Sequence, residues 1–502
     1  MALVDWIILL LYAASTIALG WQTGKKQRDT KEYFLGSGKM NPALIGVSLF
    51  ATLFSTISYL AIPGEVLGKG PVYMSMYVAY PFIYLFLAYV ILPVYMRNRV
   101  TSAYELLEQR LGLSVRLLTA AMFLVLRLTW ISLLTYMTAK VTAVLVGVGE
   151  EMVPAIVVAT MIVTVVYTSM GGLRAGVIVD LMKSILLYGG ALLVIGTVTW
   201  KLDGFSWFPT RWQSDVWDVQ PIFSFDPATR VTVVGSAVWI FLWTVCTSVG
   251  DQVSVQRFMS TTDVAAARRA IAIKLVISAI IGGTLGVVGL ALLGFFQSNP
   301  DLLPAGRTLK AQADLLFPHF IAAHLPPVVA GFVVSGLFAA AMSSISAGVN
   351  SITAVVMTDF FDRLGRKAET EQQHLRTARS VALGIGVVVV VLSTFMKYVP
   401  GNFLAVTNKT VNLLTVPIAL PFLFALFVPF ANARGVWFAT AVSVTTAALI
   451  AFSGVIFGMD PVSGLDPISF QLIIPFTLAA GLVSGLVGCK FFSRTNPAPR
   501  AH

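Results

Sequence analysis

The amino-acid sequence predicts an all-α polytopic membrane protein with about thirteen transmembrane helices. Three observations carry that expectation. Hydrophobic residues make up 57% of the 502 residues and charged ones only 11%. Apolar runs of about 20 residues, each long enough to cross a bilayer, recur along the whole chain. Lys and Arg crowd alternate connections between those runs, where they outnumber those on the other side about threefold, as cytoplasmic loops do.

In order, the expected spans are 3–20, 42–64, 72–96, 114–146, 151–170, 175–200, 229–250, 269–296, 324–357, 377–397, 402–429, 434–457 and 468–489. The first opens MALVDW, with Asp5 and no Lys or Arg, so it lacks the basic lead of a secretory signal and is read as a span. Basic clusters follow span one (Lys25, Lys26, Arg28, Lys31, Lys39), span three (Arg97, Arg99, Arg110, Arg116) and span nine (Arg363, Arg366, Lys367, Arg376, Arg379). This pattern places the N-terminus outside and the C-terminus in the cytoplasm, in a plasma (inner) membrane. It also accounts for the net charge of +11 as topology, with no nucleic-acid partner required. The Trp- and Asp-rich connection 201–228 is an external loop whose tryptophans are expected at the lipid–water interface, and 297–323 is expected to hold a short amphipathic helix. Beyond the last span about a dozen residues remain, too few for an appended kinase or nucleotide-binding domain.

The chemistry-bearing residues narrow the class further. Cys246 and Cys489 both lie in apolar runs and imply no disulfide framework. None of the four histidines sits in mid-span, which argues against a metal centre and against an intramembrane enzyme. A channel would show a repeated filter or rings of like charge, and neither is present. A transporter-like sensor would need an output domain.

One apolar run is unusually hydroxylic. Ser335–Ser351 (SGLFAAAMSSISAGVNS) groups Ser343, Ser344, Ser346, Asn350 and Ser351 within two and a half turns. On a helix, the carbonyl of Ala340 lies near the side chains of Ser343 and Ser344, a set of oxygens that suits a hard cation. Small residues at a close helix–helix contact are the competing reading. Five cations fall inside spans. Lys140, Lys183 and Lys274 lie near enough to span ends to snorkel, whereas Arg127 and Lys409 need a cavity or a partner.

Five stretches, in this order, are similar to the sodium/solute symporter family over roughly residues 31–430. They are EYFLGSGKMNPALIGVSLFATLFSTISYLAIPG, TSAYELLEQRLG, YTSMGGLRAGVIVDLMKSILL, DQVSVQRFMSTTDVAAARRA and AAAMSSISAGVNSITAVVMTDF. The resemblance implies the leucine-transporter-like fold, with a five-plus-five inverted repeat and a discontinuous first core helix. The expected division is a peripheral span and loop (1–41), repeat one (42–200), the external loop (201–228), repeat two (229–430) and peripheral C-terminal spans (431–502). Thr52, Ser55, Thr56, Ser58 and then Pro63–Gly64 suit a helix that unwinds midway.

Carried over residue by residue, the family's main sodium site falls on the carbonyls of Ala51, Phe54 and Ala340 and the hydroxyls of Ser343 and Ser344. A second sodium site would use Asp180, Ser343 and Ser346, but Ala347 stands where another serine is expected; Asp180 pairing with Lys183, or lining the ion's exit, are the alternatives. The substrate pocket falls on Ser55, Thr56, Ser58, Arg127, Thr244, Thr247, Asn408, Lys409 and Asn412. At the position of Arg127 sugar-carrying members have a neutral amide and sialic-acid carriers an arginine, which is shaped to grip a carboxylate. Asp251 and Arg257 read as gate or loop contacts. The resemblance therefore implies a symporter, with sodium as the coupling ion, that imports a small organic solute, an anionic carboxylate first. A neutral solute with Arg127 in a structural ion pair, and proton coupling, are the alternatives.

Overall fold

The computed structural model describes residues 2–25, 30–98, 100–229, 231–303, 308–310, 313–365, 370–398, 403–459 and 466–493. Lys26, Arg28, Arg99, Arg366 and Lys367 of the basic clusters lie outside these. Every described element is helical. In chain order the principal helices are α1 (Leu3–Gly24), α2 (Pro42–Leu53), α3 (Thr56–Lys69), α4 (Leu113–Val146), α5 (Val153–Lys201), α6 (Val233–Gly250), α7 (Gln252–Met259), α8 (Val264–Ser298), α9 (Val329–Val355), α10 (Glu371–Phe395), α11 (Phe403–Phe427), α12 (Ala433–Ala451) and α13 (Ile473–Ser493). A composite span, Pro71–Arg97, sits between α3 and α4.

Eleven described helices are long and apolar enough to cross a membrane, or twelve when the bent pair α2–α3 counts as one. The expected thirteen is reached only if α5 is two spans. At 1.5 Å per residue its 49 residues extend over ~73 Å, more than twice the ~30 Å hydrocarbon core. Gly172, in the gap between the two expected spans, breaks it with φ +54°, a conformation open to glycine at no steric cost.

Local sequence sets the helix starts. Asn41 caps α2 by accepting from Ala43 N at 2.8 Å, with Pro42 at the first helical position. Thr232, Asp263, Thr370 and Asn432 cap α6, α8, α10 and α12 in the same way. Asp5, anomalous in an apolar run, accepts from Val328 N at 2.9 Å and Gly331 N at 3.0 Å and so caps α9 from another helix. Around α9, which is buried along nearly its whole length, pack α5, α4 and α1, while α8 lies along α2 and α3 and α12 pairs with α13.

The connection 201–228 departs from expectation. Trp207 and Trp217 are buried, and their indoles donate to Thr199 Oγ1 at 3.0 Å and to Leu67 O at 2.9 Å. They fold back on the protein because each indole finds an acceptor there. Within 297–323 the described α-helix is Leu316–His324.

Candidate functional site

Two helices are interrupted in mid-course, and the site lies between them. α2 and α3 meet at 69° across Phe54 and Ser55, both extended, with Ser55 Oγ capping α3 through Ser58 N. Pro63 and Gly64 are not the break; both lie inside α3. Gly64 instead admits a close neighbour, since a Cβ there would come 2.5 Å from Asp314 Cα. The second interruption falls at Asp251, extended between α6 and α7, whose Oδ1 accepts from Val253 N at 2.9 Å. An interrupted helix leaves carbonyls without intrahelical donors, and away from water each needs another partner.

Between the breaks is a cavity of about 190 Å³. Seven expected solute residues line it: Ser55, Ser58, Arg127, Thr244, Thr247, Asn408 and Asn412. Its walls are otherwise mostly aliphatic and aromatic, with Trp130, Trp239 and Trp243 prominent. Several buried polar atoms facing this region have no hydrogen-bond partner among the described residues, including Arg127 Nε, Trp239 Nε1, Thr52 Oγ1 and Asn412 Oδ1. Orphaned polar atoms beside a cavity are what a bound solute would satisfy.

Two expected solute residues do not reach the cavity. Thr56 donates to Leu337 O at 2.9 Å and ties α3 to α9. Lys409 forms an ion pair with Asp466 at 2.6 Å, because its turn of α11 faces that carboxylate. Arg127 lines the cavity but is ion-paired with Asp251, not with the Asp180 expected for a structural pair. Lys274, expected to snorkel, is instead buried ten residues into α8 and lines the cavity. No ion pair or hydrogen bond holds it among the described residues. Sequence reasoning missed it because a lysine near an expected span end reads as interfacial; the longer helix places it inside. Lys140 does reach outward, to Glu150 at 3.1 Å.

The expected sodium ligands also come together, with one unexpected occupant. Ala51, Phe54 and Ala340 turn their carbonyls toward a common point, and Ser343 and Ser344 stand beside them on α9. At that point is the ammonium of Lys183, from α5. Its Nζ donates to Ala51 O, to Phe54 O at 2.5 Å and to Ala340 O at 3.3 Å. Lys183 is 0% exposed, so the snorkelling reading fails: three carbonyls inside the protein hold the amine more fully than the interface would. Ser344 donates to Thr52 O at 3.3 Å. Asp180 accepts from Ser343 and Ser48 and faces Arg257 at 3.5 Å, so its contact ion pair is with Arg257 rather than with Lys183. Arg257 is thus buried beside the cation site rather than at a surface loop. Ser346 lies against Tyr167, apart from Asp180's hydrogen bonds.

The family model described as "Sodium:solute symporter family" matches residues 33–443. The sodium/sialic acid symporter SiaT of Proteus mirabilis is 28% identical over 402 residues, 76% of each chain. The sodium/sialic acid symporter NanT of Aliivibrio fischeri is 26% identical over 451 residues, 88% of this chain and 86% of that one. A substrate-bound, outward-open structure of a Na+-coupled sialic acid symporter superimposes with a TM-score of 0.84 at 24% identity over both full chains, which shows the shared leucine-transporter-like fold. The protein belongs to the sodium:solute symporter family: it is a membrane transporter and not an enzyme.

Proposed function

We propose that the protein is a sodium-coupled symporter that imports a small monoanionic carboxylate by alternating access. The observation that carries this reading is the charge in the cavity. Arg127 and Lys274 face one carboxylate, Asp251, leaving one positive charge uncompensated in a site walled mostly by aliphatic and aromatic side chains. A cation at membrane depth costs about 2.5–3.5 kcal/mol on the mildest scale, so a position that keeps one without a counter-ion is suited to an anionic ligand. Lys274 would take the solute's carboxylate as a point charge, Arg127 Nε and the Asn408–Asn412 pair would orient it, and Trp239 and Trp243 would cover its ring or apolar body. The names of the relatives, sodium/sialic acid symporters, fit a carboxylate of this kind.

Sodium would favour the form in which the α2–α3 break is ordered, and by reciprocity solute would tighten sodium by the same factor. The two breaks support repeats at 42–200 and 229–430, each with an interrupted leading helix. The basic connections favour a cytoplasmic C-terminus and an external N-terminus. On the cytoplasmic side in that orientation, Arg116 bridges Asp359 and Glu108, both at 2.7 Å, and Arg363 clasps Glu108, which ties the end of α9 to the start of α4.

The Arg127–Asp251 pair favours a second reading, a neutral solute with Arg127 structural. Melting of the purified protein against sialic and sugar acids, short monocarboxylates, proline and hexoses, each in sodium and in potassium, separates the two. The carboxylate reading expects a sodium-dependent rise with one acid, lost in Lys274→Met and in Arg127→Ala. A rise with a neutral solute that survives both substitutions would overturn it.

A further inference from the structure

The cage expected to hold sodium already holds a cation of the chain's own. We propose that Lys183 is a tethered occupant of the cage between α2, α3 and α9, and that its ammonium and a sodium ion exclude one another there. This rests on the sodium reading above and adds to it a competitor built into the site.

The fit is stoichiometric. An ammonium has three donors and no acceptor, and the three carbonyls of Ala51, Phe54 and Ala340 take one each. Of those carbonyls, Ala51 lies in the last turn of α2, Phe54 in the break itself, and the third on α9. The amine therefore makes the bridge between broken helix and scaffold that an ion in the cage would make. The charge balance points the same way. Asp180 is the carboxylate of this cluster, and Arg257 already faces it at 3.5 Å. With Lys183 in place the cluster carries one surplus positive charge; a sodium ion in the same cage would add a second at contact distance, among groups buried from solvent. The remaining ligands do not discriminate against either occupant, because Ser343 and Ser344 give their hydrogens to Asp180 and to Thr52 O and keep lone pairs free.

A tether makes this competitor strong. Lys183 is anchored on α5 and fully buried, so its ammonium is present at a high effective concentration that a free ion must overcome. The consequence is that sodium binds this cage only as Lys183 swings out, and that the α2–α3 break stays ordered without sodium while Lys183 is in.

The test is a sodium titration of the purified full-length protein at constant ionic strength, with choline as replacement cation. Melting temperature and carboxylate affinity are read separately for the natural chain, Lys183→Gln and Lys183→Met. Removing the amine is expected to lower the half-maximal sodium concentration by about tenfold or more. Equal half-maximal sodium in all three proteins overturns the proposal. So does the lack of any sodium response in variants that still bind carboxylate, a result that also removes this cage as a sodium site while leaving the solute reading intact. Should both variants fail to fold, the natural chain decides. Sodium, and not choline, should raise acylation of Lys183 by an amine-reactive reagent, because the ion expels the side chain; unchanged labelling at saturating sodium overturns the proposal.

Discussion

The two interrupted helices pose the same problem and receive different answers. At the α6–α7 break the freed carbonyls are met by neutral phenols: Tyr95 donates to Val249 O and Tyr104 to Gly250 O at 3.2 Å. At the α2–α3 break they are met by the Lys183 ammonium and a serine hydroxyl. Both solutions satisfy the backbone. Only the second makes the break a position for a cation, and it does so by adding a buried charge that needs its own support. A neutral hydrogen bond contributes about 0.5–1.5 kcal/mol net, whereas stripping a buried ion of its partner costs about 3–5 kcal/mol. The α6–α7 break carries its charge differently, as Asp251 presented to the cavity and answered by Arg127. In the proposed mechanism one break would handle a cation, and the other would shape the solute's surroundings.

The contrast can be tested by substitution, and the largest effect belongs to the charged break. Asp180→Asn removes the carboxylate beside Arg257 and Ser343, leaving buried cations without a counter-charge. A loss of about 3–5 kcal/mol is expected, visible as a large fall in melting temperature or as failure to recover folded protein. Unchanged melting would mean that the cluster is solvated or neutral.

Next in size is the cavity. Lys274→Met should weaken carboxylate binding by about tenfold or more, about 1.4 kcal/mol, while leaving neutral solutes as they were; binding isotherms for an acid and its amide show this directly. A smaller effect is expected at the neutral break. Tyr104→Phe removes one phenol–carbonyl bond and should cost about 1 kcal/mol in a melt, with no change in the half-maximal sodium concentration.

The smallest effect lies outside the membrane. Hydrogen bonds from Arg363, with Arg116 helping, hold the Glu108 carboxyl down at about 2, against an ordinary value of 4.5. A depressed carboxylate contributes stability that is fully present above its ordinary value and is lost as pH falls toward about 2. Melting should thus show no loss from this clamp between pH 8 and 5. Glu108 is only lightly buried, so Glu108→Gln should cost about 1 kcal/mol or less at pH 7.

Much of the fold was legible because membrane spans write themselves into hydropathy and basic loops. The break in the first interrupted helix was legible too, in the hydroxyl run Thr52–Ser58, although Pro63–Gly64 pointed too far along. That the Ala51, Phe54 and Ala340 carbonyls would converge beside Ser343 and Ser344 was legible from the hydroxylic run and the family resemblance. What the sequence hid was reach. Lys183 and Lys274 look like residues near span ends, and only the packing of α5 and α8 shows one amine entering the cage and the other the cavity. Asp5 was hidden in the same way: its partners, Val328 and Gly331, lie on a helix more than three hundred residues away. Lys409 erred in the opposite direction, since helical spacing cannot say that Asp466 would come within 2.6 Å.

The two breaks are held by donors of different charge. High-resolution electron cryomicroscopy of the purified protein in sodium-free potassium buffer tests it most directly. The expected result is continuous side-chain density from Lys183 to the carbonyls of Ala51, Phe54 and Ala340, with only the Tyr95 and Tyr104 phenols at Val249 and Gly250. Density showing Lys183 turned away from those three carbonyls would contradict it.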